Sequence, residues 1–166
     1  MIVEVYKLDI KDFRKEDKSQ SKIDLLLQTG KGEAMGEHRR KIYLVYGDKT
    51  VLYVGETDTS IKVRMQRSCT AHNYFKKSGQ ARGGYKGYKW LDIKNEVRSL
   101  TLYVAILDES YDGSEQRHKV EAIESELVYE IRNRTGKWPT FQNEIHFSND
   151  VDANKIAKEI LTLCNL

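Results

Sequence analysis

Residues 41–55, KIYLVYGDKTVLYVG, constrain this chain more than any other stretch. Two β-rich runs flank Gly47-Asp48-Lys49-Thr50, a turn signal, so the segment reads as a hairpin. Both runs are apolar at nearly every position. A hairpin with one face in water alternates in polarity, whereas one without alternation needs cover on both faces. The hairpin therefore belongs at the centre of the fold. A chain of 166 residues builds one domain around it.

Residues 1–10 and 100–107 read as further strands. Helical patterns follow Thr59 or Ser60, run over 117–132, and follow Asn149 or Asp150. The expected class is α/β (α+β), with a small, mostly antiparallel central sheet whose core hairpin is flanked by helices. The charge mixture of residues 11–22 reads as a loop. Ser21 is expected to cap a short helix through Ile23, Leu25, Leu26 and Leu27 that stops at Gly30. Three segments result: 1–40, a strand–helix extension packed on the core; 41–147, the core; and 148–166, a closing helix.

The longest apolar runs are far too short to span a bilayer, and Glu4 interrupts any secretory h-region, so no membrane association is expected. Cys69 and Cys164 lie far apart and match no metal spacing. A reducing, cytoplasmic setting follows from that usage.

Charge is unevenly distributed. Residues 61–90 contain Lys62, Arg64, Arg67, Lys76, Lys77, Arg82, Lys86 and Lys89 and no acid, a local charge of +8 in a chain whose formal total is +3. Tyr74, Phe75, Tyr85, Tyr88 and Trp90 are interleaved, with four glycines between residues 79 and 87. Cations neutralise phosphates and planar rings stack on bases. The stretch is expected to contact nucleic acid through Lys62, Arg67, His72, Lys76, Lys77, Arg82, Tyr85, Lys86, Tyr88 and Lys89. A solvated loop whose aromatics anchor it to the core is the alternative.

On a helical wheel over 117–132, Val120, Ile123, Leu127, Ile131 and Val128 form one apolar stripe, and Glu124 falls inside it at about 40° from Val120. A carboxylate facing a core costs several kcal/mol unless it is paired or holds a cation. In the helix after the hairpin, Ile61, Met65 and Cys69 share a stripe. Arg64 sits at its border beside Ser68, and His72 falls on the same face. If the hairpin loop has three residues, Gly47–Lys49, then Tyr46 pairs with Thr50, Tyr43 lies opposite Tyr53, and both phenols share a face.

Together these residues resemble the GIY-YIG nuclease family. The first half-motif appears as Lys41-Ile42-Tyr43 and the second as Tyr53-Val54-Gly55. GETDTSIKVR (55–64) is similar to the family stretch ending in its catalytic arginine, here Arg64. Leu127 and Val128 match the residues that follow the family's metal-binding glutamate, which makes Glu124 that residue. The late asparagine corresponds to Asn143 in WPTFQNE. Two positions depart from the pattern: Lys41 replaces the first glycine, and Ser68 stands where a histidine or tyrosine is common, with His72 one turn further on.

The resemblance implies hydrolysis of DNA phosphodiester bonds with Mg²⁺ (or Mn²⁺). In that scheme Tyr43 activates water, Tyr53 supports it or bonds the phosphate, Arg64 binds the phosphate, Glu124 holds the metal and Asn143 braces the site. Small restriction-type enzymes of this kind often act as homodimers, an analogy that extends to this chain. The competing expectations are a non-catalytic nucleic-acid-binding module that keeps the fold, and an interaction domain whose basic loop meets an acidic protein.

Overall fold

The computed structural model describes residues 1–15, 18–84, 87–95, 100–142 and 149–166. Five strands form one sheet: β1 (Ile2–Lys15), β2 (Lys18–Thr29), β3 (Lys41–Gly47), β4 (Thr50–Thr57) and β5 (Leu100–Ile106). Their order is β2-β1-β5-β3-β4, and every pairing is antiparallel. Among the described residues three α-helices flank the sheet: α1 (Ile61–Ser78), α2 (Arg117–Thr135) and α3 (Ala153–Leu163).

The central hairpin is covered on both faces, as its unbroken apolar runs require. Tyr43, Val45 and Leu52 pack with Ile61, Met65 and Cys69 of α1. Ile42, Leu44 and Val54 pack with Val120, Ile123, Leu127 and Ile131 of α2 and with Ala157 and Ile160 of α3. The sheet is thus the middle of three layers. Among the described residues no helix is long and apolar enough to cross a membrane.

The turn between β3 and β4 has two residues rather than three. Asp48 and Lys49 both adopt positive φ (49° and 65°), the mirror-image turn that matches strand twist. A bulge between Val45 and Tyr46 then shifts the register. Tyr43 consequently lies opposite Gly55, and Tyr53 lies opposite Val45. The phenols still share a face, as diagonal neighbours with ring centroids 6.1 Å apart.

The expected helix after Ser21 is strand β2 instead, and the expected loop is occupied by the β1–β2 hairpin. Ile23 and Leu25 lie opposite Ile10 and Leu8 and face the core, while Leu26 points outward at 48% exposure. A short segment with four apolar residues in five, Ile23–Leu27, fits either helix or strand, and the waiting partner β1 decides between them. Because β1 also pairs with β5, β1 and β2 are part of the central sheet rather than an extension laid upon it. The last helix, expected to follow Asn149 or Asp150, starts only at Ala153, and Val151 before it is 94% exposed.

Glu4 holds this end of the sheet to the chain that follows. Fully buried, its carboxylate accepts the backbone N–H groups of Lys31, Gly32, Glu33 and Ala34 (2.7–3.0 Å) and the Tyr6 hydroxyl. Burial pushes its pKa up, but these hydrogen bonds outweigh burial and hold it below the ordinary value. A depressed carboxylate stabilises the fold above its unfolded pKa, and that contribution is lost as pH falls through the folded one. Glu4→Gln is expected to cost about 2–3 kcal/mol at neutral pH. In denaturant unfolding the gap between variant and wild type should close in acid. A gap that is constant with pH contradicts this role.

Candidate active site

The hairpin and the two helices flanking it carry three candidate side chains far apart in sequence: Tyr43 on β3, Arg64 on α1 and Glu124 on α2. Tyr43 is fully buried on β3. Arg64, in the first turn of α1, is half-buried and donates from Nε to the Tyr43 hydroxyl at 2.9 Å. Its guanidinium carbon lies 5.7 Å from the Tyr43 ring centroid. A cation bonded to a phenol oxygen favours the phenolate over the phenol.

Gly55 makes room for that phenol. A Cβ at residue 55 would lie 2.5 Å from the Tyr43 hydroxyl oxygen, 2.6 Å from Tyr43 Cζ and 2.9 Å from Tyr53 Cε1. Tyr43 therefore rests directly over the bare backbone of β4. Gly55→Ala is expected to push the phenol off Arg64 and cost about 1–3 kcal/mol through overpacking. The checks are thermal unfolding and a crystal structure of the variant. An unmoved Tyr43 contradicts the expectation.

Glu124 projects from α2 with 8% of its surface exposed. Burial raises its pKa to about 8, aided by the charges of Glu56 and Glu121 and opposed by those of Arg64 and Arg117. Arg64 thus acts on both Tyr43 and Glu124. Among the described residues no ion pair or hydrogen bond closes on the Glu124 carboxylate. The internal ion pair that could have explained an inward-facing charge is absent there.

Glu56, the residue after Gly55, gave no sequence signal. It lies on the α2 face of β4 with one oxygen 3.1 Å from Arg40 Nη1 and the other 4.0 Å from Arg117 Nε. Arg117 in turn bonds Glu121 at 2.9 Å. Arg40 is buried and also donates to the Gly113 carbonyl at 3.1 Å. These partners are brought together only by the fold, so no local pattern reveals them. Lys41, in place of the first glycine, is buried too. Its Nζ donates to the carbonyls of Arg39 (2.7 Å) and Thr59 (3.2 Å), tying the chain before β3 to the chain entering α1. Burial lowers its pKa.

Glu124 is the residue that could hold a hard cation such as Mg²⁺. Mg²⁺ takes hard oxygen ligands, keeps several waters, and needs only one or two carboxylates. Glu124, with Glu56 close by, offers that chemistry. No group of three or more His, Cys, Asp or Glu side chains among the described residues forms a fuller cage.

Of the expected nucleic-acid contacts, Lys62, Arg67, Lys76, Lys77 and Arg82 are exposed and Lys89 is half-buried. His72 and Tyr88 are not available to DNA. His72 is fully buried with Nε2 2.7 Å from Asp92 Oδ1, and Tyr88 packs between His72 and Phe75 at 1% exposure. Trp90 is likewise in the core. Tyr88 and Trp90 thus anchor the basic segment to the core, whereas Tyr74 and Phe75 are exposed. Nor does His72 replace the residue missing at Ser68: eight residues along α1 place it about 12 Å beyond Arg64. Ser68 is itself buried. Tyr85, Lys86 and Asn143 lie outside the described residues. Gln142, just before Asn143, accepts the Val54 backbone N–H at 3.1 Å, so residue 142 lies against β4.

Comparison with known proteins gives no match for this chain among family models, curated proteins or solved structures.

Proposed function

We propose that this protein is a divalent-metal-dependent endonuclease that hydrolyses DNA phosphodiester bonds. The observation that carries this reading is the bond from Arg64 Nε to the Tyr43 hydroxyl, made by an arginine whose charge also reaches the buried Glu124 carboxylate, which lacks a partner among the described residues. The GIY-YIG resemblance singles out the same residues.

Hydrolysis adds water across a P–O bond. The water oxygen forms the new bond to phosphorus, the bond to the leaving oxygen breaks, and that oxygen takes up a proton. Arg64 holds the scissile phosphate, where a planar guanidinium suits its oxygens and offsets the charge that develops. Tyr43 as phenolate accepts the proton of the attacking water. An ordinary phenol titrates near pH 10, so this role depends on the cation at its oxygen. Tyr53 orients the phosphate or supports Tyr43, Glu124 supplies the metal-binding carboxylate, and Asn143 braces the site. A bound Mg²⁺ (or Mn²⁺) would act as a Lewis acid on the phosphate and lower the pKa of water beside it.

The exposed cations of α1 and Arg82 hold the DNA backbone. If about five of them each neutralise a phosphate, affinity falls about 10²–10³-fold between 50 and 200 mM salt. Filter binding over that range checks this, and affinity insensitive to salt removes the basic face from the contact. Plasmid nicking with Mg²⁺ or Mn²⁺ tests the activity itself. Tight, salt-dependent DNA binding without nicking would favour a non-catalytic module with this fold. Binding that DNA does not compete for would favour an acidic protein partner.

A further inference from the structure

The chain has two tryptophans. One, Trp90, is fully buried, whereas Trp138 is 44% exposed just beyond the C-terminus of α2. Gly136, at φ 73°, ends the helix by donating its N–H to the Arg132 carbonyl at 2.9 Å. The chain turns there and brings Trp138 back over the last turns of α2. The Trp138 ring meets Tyr129, itself 56% exposed, edge to face at 5.9 Å, and the Arg132 guanidinium sits 5.6 Å from the indole centroid. Tyr129 points about 180° away from the apolar stripe of α2, so it contributes nothing to the core.

An exposed tryptophan and tyrosine held against each other beside a cation form an apolar surface that a soluble protein has reason to keep only if something covers it. Charge indicates what. Residues 131–143 contain Arg132, Arg134 and Lys137 and no acid, and the acids nearest Tyr129, Glu126 and Glu130, are engaged by Asn154 and Lys158, so the charge around Trp138 favours an anion. Flat rings with adjacent cations match a nucleotide, the rings taking the base and the cations the phosphate. A paired base hides its faces inside the stack, and only an unpaired one can lie on a ring.

We propose that Trp138, Tyr129 and Arg132 form a stacking platform for an unpaired base, so that the preferred DNA carries a single-stranded segment. This rests on the nuclease reading and narrows its substrate class. Around α2, Tyr129 lies about 140° and Arg132 about 80° from Glu124, so the platform sits on a different face of the helix, and it is separate from the basic face of α1.

The platform is tested in EDTA, where binding is read without cleavage. Oligothymidylate is titrated into the full chain while tryptophan emission is followed, and a blunt duplex of equal length is titrated in parallel. Trp90 is buried, and the Trp138→Phe variant assigns the change on binding to Trp138. Saturable quenching by the single strand, and much less by the duplex, is expected. Trp138→Ala should weaken single-strand binding about 5- to 150-fold, the range for losing one stacked base, and leave duplex affinity unchanged. Trp138→Phe should abolish the emission change but keep most of the affinity. If Trp138→Ala does not fold, Tyr129→Ala is measured by fluorescence anisotropy and should show a loss confined to the single strand. Equal quenching by both DNAs, or variants that lose thermal stability but bind single strands like wild type, would overturn the proposal and leave the pair as a packing feature. Plasmid nicking with Mg²⁺ is scored separately: nicking without a single-strand preference sinks the platform alone, and quenching without nicking sinks the nuclease reading alone.

Discussion

Tyr43→Phe is expected to lower DNA cleavage by about 10²–10⁴-fold, the usual contribution of a positioned general base, while leaving DNA affinity within a few-fold of wild type. The variant keeps the ring that fills the space over Gly55 and removes only the oxygen that Arg64 Nε bonds at 2.9 Å. Loss of that acceptor leaves a half-buried cationic donor one bond short, a cost of about 1–3 kcal/mol visible in thermal unfolding. That cost is too small to empty the folded state of an ordinary domain, so lost cleavage would report chemistry rather than unfolding. Single-turnover nicking at saturating protein separates the two effects, because binding is then complete. A variant that nicks at the wild-type rate would show that Tyr43 does not take the proton, and Tyr53 on the same face would be next to test.

The same hairpin shows how far a sequence reaches and where it stops. Its position between two helical layers was legible because neither strand alternates in polarity. Its register was not, because nothing local indicates that Asp48 and Lys49 both take left-handed geometry, and one residue of loop length changes every opposite pair. The bulge after Val45 absorbed that error and kept Tyr43 and Tyr53 on one face. Residues 23–27 misled for a different reason: a short apolar run has no period of its own, and Leu8 and Ile10 across the hairpin decide its structure. Glu124 was legible because a single wheel exposes a charge in an apolar stripe. Glu56 and Arg40 were not, since their pairing spans two elements and each looks ordinary in its own segment. Among the aromatics of the basic stretch, composition could not separate a ring that stacks on a base from one that plugs the core. Tyr88 and Trp90 lie against or within an irregular 3₁₀ segment, Lys89–Asn95, that carries no amphipathic pattern to tell the two apart.

Glu124→Gln is expected to abolish metal-dependent cleavage and, without metal, to make the protein more stable above neutral pH. In the fold the carboxyl titrates at about 8, against an ordinary value of 4.5. A carboxyl with a raised folded pKa binds its proton more tightly in the native state. Its stability is therefore highest below the unfolded value, declines as pH rises from about 4.5 to about 8, and then levels off with the penalty complete. Glutamine resembles the protonated form at every pH, so the variant escapes that decline. Wild type and variant should unfold alike near pH 5 and diverge by a few kcal/mol at pH 8.5. Adding Mg²⁺ should reverse the order. A divalent cation gives the ionised carboxylate its missing counter-charge, so wild type gains stability and the variant does not. Because binding expels the proton, the apparent Mg²⁺ affinity of wild type should rise up to about tenfold per pH unit below 8 and flatten above it. Thermal unfolding across pH 5–9, with and without Mg²⁺, reads all of this without reference to turnover. Equal Mg²⁺ stabilisation of both proteins, or normal nicking by Glu124→Gln, would show that the ion is held elsewhere. The inward-facing carboxylate would then need another counter-charge.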